Sequence, residues 1–85
     1  MKTYEFDVIL HGIAELTDDQ VDSLFEAGCD DSTPTSSDGL AWVHFDRQAS
    51  SLEDAVRLAV TQVRSAGLSV AKVELDIGSA VFQQI

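Results

Sequence analysis

Positive charge is what this chain has least of. Five Lys and Arg stand against 15 Asp and Glu in 85 residues, a formal net charge of −10. That balance argues against nucleic-acid binding, which needs cations opposite phosphates. It disfavours an anionic membrane surface for the same reason. There is one cysteine, Cys29, so no disulfide can form within the chain, and a reducing cytoplasmic setting is expected. No apolar run approaches the ~18 residues of a membrane span, and Met1–Glu5 lacks the apolar core of a signal peptide. No Gly-rich phosphate loop, Ser-His-Asp set or paired-carboxylate cleft is evident, so no catalytic residue is assigned and the chain is expected not to be an enzyme.

What is present is enough for one small domain. The hydrophobic content of 45% is ordinary for a globular chain. Charge is unevenly placed. Residues 1–46 carry 11 acids and one base, whereas residues 47–85 carry four of each, so the whole excess lies in the first half. A basic protein partner is the natural complement. The plainer alternative is that acidity only keeps the chain soluble.

The patterning predicts six elements. Tyr4, Phe6, Val8 and Leu10 alternate with Glu5, Asp7, Ile9 and His11, the signature of a half-buried strand. Thr17 and Gln20 form a capping box that opens a helix, Val21, Leu24 and Phe25 share one face of it, and Gly28 ends it. Asp18, Asp22 and Glu26 share another face, for solvent or a partner. The polar segment from Cys29 to Gly39 has room for a short edge strand near Asp31–Thr35, where Pro34 is tolerated. Gly39 to Asp46 reads as the central strand, with Ala41, Val43 and Phe45 on one side and Leu40, Trp42, His44 and Asp46 on the other. Ser50 and Glu53 box a second helix with Leu52, Ala55, Val56, Ala59, Val60 and Val63 at helical spacing, stopped by Gly67. Ser69 to Ile77 reads as a last strand, Ala71, Val73, Leu75 and Ile77 inward and Val70, Lys72, Glu74 and Asp76 outward. The expected fold is α+β, a ferredoxin-like split βαβ sandwich over residues 1–77, with strands one and three central and both helices on one face. Residues 78–85 form an apolar tail without a clear period.

That fold leaves one sheet face open, bearing Glu5, Asp7, Ile9 and His11, then Leu40, Trp42, His44 and Asp46. An exposed Trp among aliphatic neighbours has the composition of an interface hot spot. The competing reading packs Trp42 under the C-terminal tail. RNA-recognition modules of this topology stack bases on sheet aromatics, but here Glu5 and Asp7 would repel the backbone. His11 and His44 on adjacent strands, with Asp7 or Asp46, could serve a metal; the spacing is not a known metal signature, and no metal or cofactor is assigned. Cys29 lies beside Asp30 and Asp31, which would raise its pKa and make it a poor nucleophile. Acylphosphatases share the topology but need an arginine in the first loop, and His11–Leu16 contains none.

Three segments, Tyr4–Leu10, Asp22–Asp31 with its run Leu24-Phe25-Glu26-Ala27-Gly28-Cys29-Asp30-Asp31, and Phe45–Ala55, resemble a family of small uncharacterised bacterial proteins. The resemblance spans about residues 4–76. Longer members of that family are similar to this domain followed by a helix-turn-helix segment, and are described as DNA-binding or antitoxin-like regulators. Gly78–Ile85 is too short for a helix-turn-helix, so DNA binding does not transfer. The expectation is a non-enzymatic interaction module, an antitoxin-like or regulatory subunit that binds a basic protein or self-associates as a dimer. Its partner-binding candidates are Glu5, Asp7, Ile9, Leu40, Trp42 and His44 on the sheet, with Asp18, Asp22 and Glu26 on the first helix. The alternative is a small-ligand or metal-sensing domain that uses His11 and His44.

Overall fold

A computed structural model of the chain describes residues 2–75. Six elements follow in the order β1 (Lys2–Leu10), α1 (Asp18–Glu26), β2 (Ser32–Ser37), β3 (Leu40–Ala49), α2 (Leu52–Ser65) and β4 (Val70–Leu75). The strands form one antiparallel sheet in the order β2-β3-β1-β4. Each helix therefore crosses between two parallel strands with a third strand inserted between them, the ferredoxin-like split βαβ arrangement. No helix among the described residues is long and apolar enough to cross a membrane.

Alternation along the two central strands builds the core. Phe6 and Val8 of β1 and Ala41, Val43 and Phe45 of β3 are fully buried on the helix-covered face. Phe6 and Phe45 are directly opposite in register and stack with centroids 5.4 Å apart. Such a pair adds ~0.5–1.5 kcal/mol beyond its burial. Helix α2 meets this surface through Ala55, Ala59 and Val63, spaced at i, i+4 and i+8. Two alanines let the helix axis approach the sheet closely. Helix α1 contributes only Leu24 as a fully buried residue; Val21 is half-buried and Phe25 is 45% exposed. The expected Val21, Leu24 and Phe25 stripe is thus narrower than its spacing implied.

Local chemistry sets the element ends. Thr17 and Gln20 exchange both bonds of the capping box. In α2 the cap is Ser51, which accepts from the Asp54 amide at 3.1 Å, rather than the expected Ser50. Ser50 instead donates its hydroxyl to the Asp54 carboxylate. Asp38 and Gly39, both at positive φ, close the two-residue hairpin between β2 and β3. Gly28, at φ 106°, takes the left-handed position after α1.

Two strands depart from the predicted pattern. Strand β3 runs on to Ala49 instead of ending at Asp46, and the alternation carries Arg47 onto the core face. In β4 an irregularity at Ile9/Leu10 shifts the register, so Val70 pairs with Leu10 and packs against the core. Val70 is therefore not on the open face, and Ala71 is exposed rather than inward. Beyond the shift, Val73 and Leu75 pair with Val8 and Phe6. Val73 packs against the core as expected, whereas Leu75, expected inward, is 44% exposed. The expected positions of Asp76 and Ile77, and the tail from Gly78 to Ile85, lie outside the described residues.

Candidate functional site

The register of the open face decides what can act together. Asp7 lies opposite His44, Glu5 opposite Asp46, and Ile9 opposite Trp42. Strand β2 adds Thr33 beside His44 and Thr35 beside Trp42, and β4 adds Glu74 beside Asp7 and Lys72 beside Ile9. An aromatic and aliphatic row thus runs next to a carboxylate row.

His44 is the centre of the charged row. Its Nδ1 sits 2.7 Å from Asp7 Oδ1. Because a carboxylate only accepts, this bond places a proton on Nδ1. Nε2 faces the carboxylates of Glu5 at 3.6 Å and Asp46 at 3.5 Å. The Asp7 hydrogen bond raises the His44 pKa above its ordinary value, with nearby negative charge reinforcing it and partial burial opposing it.

The apolar row is graded in exposure. Trp42 is half-buried and belongs to no part of the Phe6–Val63 core. Leu40 is 53% exposed, and Ile9 is only 9% exposed although it is on the open side. Ile9 and Leu40, with Ala71, Lys72 and His11, line an open groove of ≈ 490 Å³. Packing of the tail against Trp42 concerns residues outside those described.

The sequence-level candidates divide between two surfaces. Glu5, Asp7, Ile9, Leu40, Trp42 and His44 share the open sheet face. Asp18, Asp22 and Glu26 are exposed on α1, in the helix layer on the other side of the sheet, so they form a separate acidic surface. His11 and His44 are not neighbours. His44 lies opposite Asp7, four residues before His11, which places the two imidazoles roughly 13 Å apart along the strand direction. The alternative of a metal held by that pair is therefore not met, and Glu5 is the group that approaches His44 instead.

A second charged centre escaped the sequence reading. Arg47 is 6% exposed, and its Nε and Nη2 donate to the two oxygens of Asp31, each at 2.8 Å. Nη2 also donates to the Gly28 carbonyl at 3.3 Å. The guanidinium carbon lies 4.9 Å from the Phe45 ring centre, a cation–π contact. The Arg47 hydrogen bonds hold the Asp31 carboxyl below its usual range, and the same bonds raise Arg47. The signal that could have found this pair was the strand alternation carried one step past Asp46. Its geometry fastens the α1–β2 connection to the core, a structural task.

Cys29 is fully buried beside this pair. Burial is the first cause of its raised pKa; Arg47 opposes it, and Asp31 and Asp30 reinforce it. The neighbouring carboxylates therefore act as expected but are not the main cause.

Comparison with known proteins adds no relative: no family model, no curated protein and no solved structure matches the chain.

Proposed function

We propose that this protein is a non-enzymatic interaction module whose open sheet face receives a basic protein partner. The observation that carries this reading is one row of the sheet set against the next. Half-buried Trp42 lies one cross-strand row from Asp7 and Glu74 and two rows from Glu5 and Asp46, with exposed Leu40 beyond it on the same face. An aromatic anchor with aliphatic neighbours supplies the apolar centre of a contact, and the carboxylates on one side of it favour Lys or Arg on the incoming surface. The second acidic surface, Asp18, Asp22 and Glu26 on α1, faces away and contributes only to long-range steering.

Self-association through this face is less favoured. A two-fold contact repeats the same patch on both subunits. A contact centred on the Glu5, Asp7 and Asp46 row would then bring two carboxylate-rich patches together. A regulatory or antitoxin-like subunit that masks a basic protein uses the chemistry this face offers.

The test is titration with a Lys/Arg-rich helical peptide bearing one Leu or Trp anchor, followed by calorimetry at two ionic strengths. Raising salt from about 0.05 M to about 0.5 M is expected to weaken binding at least tenfold, since exposed charge pairs are screened. Trp42→Ala is expected to weaken it by a similar factor. Binding indifferent to both salt and Trp42 would remove the proposal.

A further inference from the structure

We propose that Glu5, His44 and Asp46 form a site for a first-row divalent transition ion of the zinc class, with Asp7 as the residue that aims the imidazole. The three donor residues project from adjacent central strands. Glu5 and Asp46 are directly opposite, and His44 lies two positions from Asp46 on the same face. Their donor atoms all lie within 4.8 Å of one another.

The spacing leaves room for a shared ion. Nε2 is 3.6 Å from Glu5 Oε1 and 3.5 Å from Asp46 Oδ1. Charge-assisted hydrogen bonds close to ~2.7–2.9 Å. Two ligands bound at ~2.1 Å to a tetrahedral ion stand about 3.4 Å apart. Both separations are longer than a tight charge-assisted bond and near the ligand spacing of a tetrahedral ion, and the third edge, from Glu5 to Asp46, lies within 4.8 Å and would close on binding. An octahedral Mg²⁺ shell would need donors about 3.0 Å apart and prefers oxygen. The imidazole nitrogen selects zinc, cobalt or nickel instead.

The ring orientation fits the same chemistry. A carboxylate on the far nitrogen of a metal-binding His fixes the tautomer and makes the ligand more basic. Asp7 holds Nδ1 at 2.7 Å and leaves Nε2 directed at the two carboxylates. Without a proton or a cation, the Nε2 lone pair would face two negative groups. The side chains of Glu5 and Asp46 are each 57% exposed, so they can close by tenths of an ångström at little cost. With three protein ligands, the fourth position of a tetrahedral ion is left for water or for a donor from another molecule. The site does not depend on a bound partner, so its test stands apart from that of the docking face.

Calorimetry of the full chain with zinc chloride, and visible absorption with cobalt(II), test the assignment. One ion per chain and an intense four-coordinate cobalt band are expected. At about 100-fold excess over Kd, zinc is expected to raise the melting temperature by roughly 11–22 °C. Glu5→Gln, Asp46→Asn and His44→Ala should each weaken zinc at least tenfold, and Asp7→Asn by ~10–100-fold. His11→Ala should leave affinity unchanged. The exposed Glu5→Gln and Asp46→Asn changes are checked for an unaltered fold by circular dichroism. Absence of both the thermal shift and the cobalt band overturns the site, as does zinc affinity unchanged in the Glu5→Gln and Asp46→Asn variants.

Discussion

Replacing Asp31 by Ala isolates the buried ion pair. The substitution leaves the Arg47 guanidinium in place, its side chain only 7% exposed, and removes the acceptors of two bonds at 2.8 Å. The remaining acceptor is the Gly28 carbonyl at 3.3 Å, and Nη1 is already without a partner among the described residues. Breaking a buried pair from one side costs about 3–5 kcal/mol, because the orphaned charge keeps its desolvation penalty. The Asp31 side chain is 32% exposed, so water can enter the gap and the lower figure, ~3 kcal/mol, is expected. Small domains have only about 5–15 kcal/mol in total. The assay is urea and thermal unfolding followed by circular dichroism, and the expected fall in melting temperature is roughly 12–24 °C. The double change Asp31→Asn with Arg47→Met should recover most of the loss, since the methionine keeps the apolar stem on Phe45 without a charge. Acid adds a second arm. The Asp31 pKa is lowered in the fold, so its contribution is complete above the unfolded carboxyl value of ~3.9 and disappears as pH falls through the folded value. The Asp31→Ala variant should lack that part of the acid transition. A loss below about 0.5 kcal/mol, the ordinary range of surface changes, would refute the reasoning.

Three further outcomes follow from other positions. Gly28→Ala should destabilise by about 1–2 kcal/mol in the same unfolding assay, because its φ is 106° and the new Cβ would meet Gln62 Nε2 at 2.5 Å. His44 should titrate by NMR above the ordinary histidine range, and Asp7→Asn should bring it down. Its folded pKa is raised, so its stabilisation is complete below ~6.5 and is lost as pH rises through the folded value. Cys29 should react with a thiol reagent only at the rate of opening, since the thiol is fully buried with a raised pKa; rapid labelling of the folded chain would contradict that placement.

The fold was legible because its signals are local and periodic. Tyr4 to Leu10 and Ala41 to Phe45 alternate, and Thr17 and Gln20 box a helix. These features, with the split βαβ rule, lead directly to the observed strand order. The failures share a cause, which is that register is a tertiary quantity. The shift at Ile9/Leu10 exchanges the faces of Val70 and Ala71, and nothing in Ser69–Lys72 marks it. Arg47 was hidden by charge: a guanidinium on the core face becomes acceptable only once Asp31 arrives from another element. Within the candidate site, the Asp7–His44 and Glu5–Asp46 pairings needed the β1–β3 register. Face membership of Trp42 and His44 followed from alternation alone, whereas the pairing of His11 with His44 failed on a four-residue offset.

The most direct measurement is chemical-shift mapping of the labelled protein with the basic, anchor-bearing peptide. Perturbations concentrated on Glu5, Asp7, Leu40, Trp42 and His44 are expected. Perturbations confined to Asp18, Asp22 and Glu26 on α1, with the sheet face silent, would contradict the central claim.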